Sequence, residues 1–127
     1  INMTDGSDEI QKKIKKATSD AELLPGRPEE LVERPEASNL LGIFAALSDK
    51  TLESVCQEFE GKQFSVFKSA LVDIAIAVLA PIGDEMARLL KNPDYLRGVL
   101  KDGSKGANDI AAPILKDVYE SVGFLRT

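Results

Sequence analysis

The stretch Gln63–Leu90, QFSVFKSALVDIAIAVLAPIGDEMARLL, decides the fold of this chain. Phe67, Ala70, Leu71, Ile74, Ala75, Val78, Leu79, Ile82, Met86, Leu89 and Leu90 keep a helical period throughout, with no strand-like alternation. Pro81 interrupts the run. A proline there removes one hydrogen bond and crowds the preceding turn, but the apolar face resumes beyond it, so a kink is expected rather than a stop. The most apolar part, Ala70 to Ile82, contains Asp73 and Pro81. It falls short of the ~20 residues that cross a bilayer and reads as a buried helix, so no membrane association is expected.

Working outward, the flanking segments repeat the helical pattern. Thr51 is placed to cap a short helix through Phe59, with Leu52, Val55, Cys56 and Phe59 inward and Gly61 ending it. Ser38 is the expected cap of a helix to about Leu47, with Leu40, Leu41, Ile43, Phe44 and Leu47 apolar. On the C-terminal side, Pro93 opens a short helix to Lys101. A last one is expected from Gly103 to Val122, weakened by Gly106, bent by Pro113 and ended by Gly123, after which Phe124 and Leu125 fold back onto the bundle. At the other end, Ser7 caps a helix that begins Asp8-Glu9 and carries Ile10, Ile14 and Ala17 on a narrow apolar face. No segment alternates as a strand does. The fold class expected is all-α, a helical bundle of about six helices with a long Pro-kinked central helix.

Between the first helix and the rest, Pro25, Gly26, Pro28 and Pro35 fall among Glu29, Glu30, Glu33 and Arg34. This reads as a connector with one short helical turn at 28–32. The organisation expected is a first helix in 1–22, a Pro-rich connector in 23–36 and a helical domain in 37–127.

The 127 residues fit one domain, and 43% hydrophobic content suffices for one core. The formal net charge is −5, which argues against a general nucleic-acid coat protein but not against a local basic face. Cys56 is alone, so no internal disulfide framework exists, and a reducing cytoplasm is the natural setting. No histidine is present. The commonest general base and metal ligand is therefore missing, and a zinc site is not expected. Carboxylate pairs such as Glu29/Glu30 and Glu58/Glu60 are adjacent rather than convergent and read as solvated. Asp73 reads as facing out of the bundle, the alternative being a buried anchor. Cys56, at helical spacing among core positions, reads as a buried inert thiol. Gly98, Gly103 and Gly106 lack the strand-turn-helix setting of a phosphate loop. No catalytic residue, metal site or cofactor is assigned to this chain.

Basic residues are the remaining lead. The stretch Gln11–Asp20, QKKIKKATSD, holds four lysines in five positions within an acidic protein. They are either a solvated helix face or neighbours of something negative. Lys62 and Lys68 flank Gln63 and Phe64, while Arg97, Lys101 and Lys105 recur at spacings of four and so share a helix face.

The order of these motifs resembles the C-terminal region of bacterial tryptophanyl-tRNA synthetases, from about Ile10 to Leu125. The pieces that carry the resemblance are Lys12-Lys13-Ile14-Lys15-Lys16-Ala17, Ser38-Asn39-Leu40-Leu41, Glu60-Gly61-Lys62 followed by Phe67-Lys68, Ala80-Pro81-Ile82, and Val118-Tyr119-Glu120 leading to Val122-Gly123-Phe124. Ser19-Asp20-Ala21 stands where the family usually has Thr-Asp-Ser. The resemblance implies a class I enzyme with a Rossmann catalytic domain and an α-helical C-terminal domain that contacts the tRNA anticodon. That enzyme is a cytoplasmic homodimer that activates tryptophan with ATP and Mg and charges its tRNA, with no DNA partner. Neither class I signature is in this chain: there is no Lys-Met-Ser-Lys-Ser run, and a His-Ile-Gly-His motif is impossible without His. The unusual opening Ile-Asn-Met-Thr is then expected to lie just after the missing signature loop, making the chain an inactive fragment. Its first helix is expected to join the absent catalytic domain, with its apolar stripe left exposed. Candidate tRNA contacts, from charge and spacing, are Lys12, Lys16, Lys62, Lys68, Arg97, Lys101 and Lys105. The rival readings are a standalone helical protein-interaction module and, more remotely, a small helical enzyme.

Overall fold

The computed structural model describes residues 1–124. Among them there are five α-helices and no strand: α1 (Ser7–Lys16), α2 (Pro35–Ser48), α3 (Leu52–Phe59), α4 (Phe64–Leu90) and α5 (Pro93–Val122), with a 3₁₀ turn at Pro28–Leu31. The all-α expectation is met, but the count is five rather than about six. The two C-terminal helices expected from the sequence are one continuous helix, because Gly103 lies inside α5 without stopping it. An interior glycine costs about 1 kcal/mol relative to alanine, which weakens a helix but does not terminate it. Pro81 and Pro113 also lie inside continuous helices.

Two of the expected caps are replaced by other devices. Gly6, not Ser7, is the N-cap of α1, with no side-chain cap bond. Helix α2 starts at Pro35 instead of being capped by Ser38, since proline fits the first helical position, where an N–H has no partner to lose. Thr51 does cap α3, its hydroxyl accepting from the Ser54 N–H at 3.2 Å. The left-handed residue after α2 is Asp49 (φ 54°), and the Lys50 N–H reaches back to the Ala45 carbonyl at 3.0 Å.

The chain divides into two compact units at Met86/Ala87, within α4. Residues 1–86 contain the core. Ile10, Ile14, Leu24, Leu31, Leu40, Leu41, Val55, Phe59, Phe67 and Leu71 are all buried in one apolar cluster. Phe44, Phe59 and Phe67 form its centre, with ring centroids 4.9–5.7 Å apart and two of the three pairs edge-on. Edge-on pairs add about 0.5–1.5 kcal/mol each beyond burial. The apolar stripe of α1, expected to be exposed, is buried instead: Ile10 and Ile14 complete the core. Asp73 is exposed, on the outward face of α4.

The connector is part of this core. Leu24 and Leu31 are buried. The Leu24 N–H donates to the Lys62 carbonyl at 3.0 Å, and the Gly61 N–H to the Leu24 carbonyl at 2.9 Å. Gly61 makes this possible by taking φ +70° just past α3. Arg34 closes the loop, its Nε and Nη2 donating to the two carboxylate oxygens of Asp20 at 3.0 and 2.6 Å and its Nη1 to the Leu23 carbonyl at 2.9 Å.

As a continuous helix of 27 residues, α4 is long and apolar enough to cross a membrane by length and composition. This corrects the reading from its apolar run alone, because Asp73 and Pro81 do not bring the average down far enough. Its first half supplies Phe64, Phe67, Leu71, Val72 and Ala75 to the core.

The second unit holds the last turn of α4 and α5. Helix α5 buries none of its residues and leaves Leu100, Ile110, Ile114, Val118 and Val122 exposed. Gly123 (φ +73°) ends it, and the Phe124 N–H donates back to the Tyr119 carbonyl at 3.0 Å. The Phe124 ring packs on Tyr119, at 6.0 Å, while remaining largely exposed. The fold-back expected of Phe124 therefore reaches its own helix, and Leu125 lies outside the described residues.

Candidate nucleic-acid interface

The four lysines of α1 have different surroundings. Lys12 pairs with Glu9 at 3.1 Å and is well exposed. Lys13 donates to Asp5 at 2.6 Å, and its ammonium holds the Asp5 carboxyl below the usual carboxylate range. Lys15 and Lys16 are exposed and enter no ion pair among the described residues. Half of the basic run is therefore neutralised by acids of its own segment, and half faces solvent.

Lys68 is a candidate whose setting the sequence did not reveal. Its ammonium donates to the Ala17 carbonyl at 2.7 Å and to the Ser19 hydroxyl at 3.0 Å. It ties α4 to the C-terminal end of α1, where carbonyls lack intrahelical partners and a positive charge is favoured. Lys62, just before α4, lies over the Phe59 ring at 4.7 Å from the centroid and is exposed. In the second unit, Arg97, Lys101 and Lys105 are exposed on α5. Spacings of four place them along roughly 12 Å of one face. Arg97 also pairs with Asp94 at 2.5 Å.

The first unit brings some of these residues together. Lys12 and Lys16 share a shallow surface with Lys15. Lys68 lines a concavity with Lys15, Ser19, Phe64, Ser65 and Ser69. Lys62 lines neither. The sequence reading left Lys15, Ser19, Ser65 and Ser69 out of its candidates. Ser65-x-x-Lys68-Ser69 marks one face of α4, but Ser19 lies beyond the end of α1, and nothing local says that it and Lys15 meet that face.

Cys56, the single thiol, is fully buried. Burial, reinforced by the Glu30 and Glu29 carboxylates, pushes its pKa up, which disfavours the nucleophilic thiolate. Arg34 and Asp20 hold each other charged: the guanidinium keeps the Asp20 carboxyl low, and the carboxylate raises Arg34. These perturbed groups belong to packing and to the connector, and none faces the lysine-lined concavity.

Fold and surface together define a helical module with a concavity lined by two lysines, three serines and Phe64. No family model matches the chain. Along nearly its whole length, however, it is similar to tryptophan–tRNA ligases: 51% identical over 126 residues to that of Agrobacterium fabrum, 45% over 126 residues to that of Rhizobium meliloti and 48% over 124 residues to that of Caulobacter vibrioides. These alignments cover 98–99% of this chain and 36% of each relative. The chain is thus homologous to part of a tryptophan–tRNA ligase, as the resemblance implied, and spans about a third of the length of the relatives it matches.

Proposed function

We propose that this chain is the helical, tRNA-contacting portion of a tryptophan–tRNA ligase, an enzyme that charges tRNA with tryptophan at the expense of ATP. The observation that carries the reading is the 51% identity to a tryptophan–tRNA ligase over 99% of the chain. In this reading residues 1–22 join the catalytic domain, 23–36 connect, and 37–127 form the anticodon-binding domain. The parent enzyme is a cytoplasmic homodimer whose nucleic-acid partner is tRNA and not DNA. No step of the chemistry is assigned to this chain.

Lysines and arginines supply sequence-independent contacts that position the RNA on the protein. Lys12, Lys16, Lys62, Lys68, Arg97, Lys101 and Lys105 are the proposed contacts. Exposed Lys16, Lys62, Lys101 and Lys105 support this, having no ion-pair partner among the described residues. Unstacked anticodon bases would then be read by stacking and hydrogen bonding, the usual mode for single-stranded loops.

Titration of the chain with tryptophan tRNA at two salt concentrations tests the proposal. Binding at low salt that weakens as salt rises is expected. A folded chain that binds no tRNA at low salt would overturn the reading in favour of a protein-interaction module. The isolated chain is expected to show no ATP–pyrophosphate exchange above background.

A further inference from the structure

The concavity between the end of α1 and the start of α4 has the composition of an anion site. Lys15 and Ser19 line it from one side, Phe64, Ser65, Lys68 and Ser69 from the other. No carboxylate lines it, and the first turn of α4 has no acidic residue. Two lysines therefore line one opening, and neither Lys15 nor Lys68 is in an ion pair among the described residues.

The hydrogen bonds fix which donors remain. Lys68 spends two of its three N–H groups on the Ala17 carbonyl and the Ser19 hydroxyl oxygen, which immobilises the ammonium and leaves one donor. Ser19 accepts from Lys68 and keeps its own O–H to give. Ser69 donates to the Ser65 carbonyl at 3.0 Å and is committed. Ser65 lies in the first turn of α4, and its hydroxyl has no partner among the described residues. The amide end of α4 adds to the positive potential. What remains is the Lys15 ammonium, one Lys68 N–H and the hydroxyls of Ser19 and Ser65, a donor set matched to the oxygens of a phosphate.

We propose that this concavity holds one backbone phosphate of the bound tRNA. Lys15 and Lys68 neutralise the phosphodiester, and the Ser19 and Ser65 hydroxyls donate to its free oxygens. The inference rests on the tRNA-binding reading above and assigns it a defined contact point. It adds Lys15, Ser19 and Ser65 to the interface and gives Lys68 a second task besides holding α1 to α4.

The test is titration of the chain with tryptophan tRNA over a series of salt concentrations, for the wild type, Lys15→Gln, Ser65→Asp and the control Lys116→Gln. Each phosphate contact contributes close to one unit of slope in log K against log salt. Lys15→Gln is expected to lower the slope by about one and the affinity roughly threefold to tenfold. Ser65→Asp places a carboxylate in the first turn of α4, where the helix dipole favours it. Its melting temperature is expected to hold or rise while its tRNA affinity falls further than that of Lys15→Gln. Lys116→Gln, which removes a lysine paired with Glu120 on α5, should keep the wild-type slope. Wild-type binding with unchanged slopes in both Lys15→Gln and Ser65→Asp would overturn the phosphate site and leave the functional reading standing. A loss in Lys116→Gln equal to that in Lys15→Gln would also overturn it, by showing a diffuse charge effect. Absence of any wild-type binding would overturn both.

Discussion

Arg34 grips Asp20 through two parallel hydrogen bonds, with the Arg34 side chain 13% and the Asp20 side chain 31% exposed. This fork-to-fork geometry is the strong form of a carboxylate–guanidinium pair. It converts a proline-rich stretch that reads as a tether into a fixed loop, because the same guanidinium also takes the Leu23 carbonyl next to buried Leu24.

Asp20→Asn keeps the shape of the side chain and removes its charge. The expected loss is about 1–2 kcal/mol, between a surface ion pair and a buried charged hydrogen bond, read as a lower urea midpoint. The effect is pH-dependent in a defined direction. Arg34 holds the folded-state pKa of Asp20 below its ordinary value, so the pair stabilises the fold above about pH 4 and the contribution is lost as pH falls through the lowered folded value. Asp5, held low by Lys13, acts with the same sign. The difference between wild type and Asp20→Asn isolates Asp20 and should shrink on acidification below pH ~4. A difference that stays constant down to pH ~2 would contradict the assignment.

Core and exposed helix should respond differently to truncation. Phe67 is fully buried at the meeting of three rings, and Phe67→Ala is expected to cost about 3–5 kcal/mol. Ile110 is 72% exposed on α5. Ile110→Ala should change the stability of this chain by no more than about 0.5 kcal/mol. Chemical denaturation of the two variants side by side measures the contrast.

Gly83 is the point where α4 meets the N-terminal segment. A Cβ there would come within 2.9 Å of the Met3 carbonyl oxygen. Gly83→Ala gains helix propensity of about 1 kcal/mol but must push that backbone away. The expected outcome is an intact helix with a released N-terminus, seen as faster exchange of the Asp5 amide, which donates to the Asn2 carbonyl at 3.0 Å. Unchanged exchange at Asp5 would mean that the segment is not held at Gly83.

Removing two cations from one face of α5 should reduce RNA binding without touching the core. Arg97→Ala with Lys101→Ala is expected to lower tRNA affinity about tenfold or more and the salt slope by about two, with the unfolding transition unmoved. If affinity and slope are unchanged, that face of α5 does not contact the RNA.

Cys56 reports global opening. Buried, with its pKa raised, the thiol should resist alkylation in native buffer and react in parallel with urea unfolding. Rapid modification of the folded chain would place Cys56 at an accessible surface and contradict the packing.

Much of this architecture is legible in the chain. The period of three and four from Phe67 to Leu90 requires α4, Thr51 announces α3, Pro93 and Gly123 mark the ends of the last helix, and Cys56 falls among core positions because of its spacing. These are local signals, set by backbone geometry within one or two turns. Local signals were misleading where alternatives compete over a short range. Gly103 suggests a break that the helix absorbs, and Ser7 and Ser38 suggest caps where Gly6 and Pro35 start the helices. Lysine spacing likewise pointed to faces of single helices, which is why Lys68 was found without its partners.

By itself, then, the sequence determined the all-α class, the core faces of α2, α3 and the first half of α4, and the kinship with tryptophan–tRNA ligases, since periodicity and motif order are properties of the chain. Only the tertiary structure decided that Arg34 pairs with Asp20, that the connector joins the core, and that Lys15 and Ser19 meet Ser65 and Lys68 around one opening. These contacts join residues 14 to about 50 positions apart, and such pairings arise from the packing of whole helices, which no short window of sequence encodes.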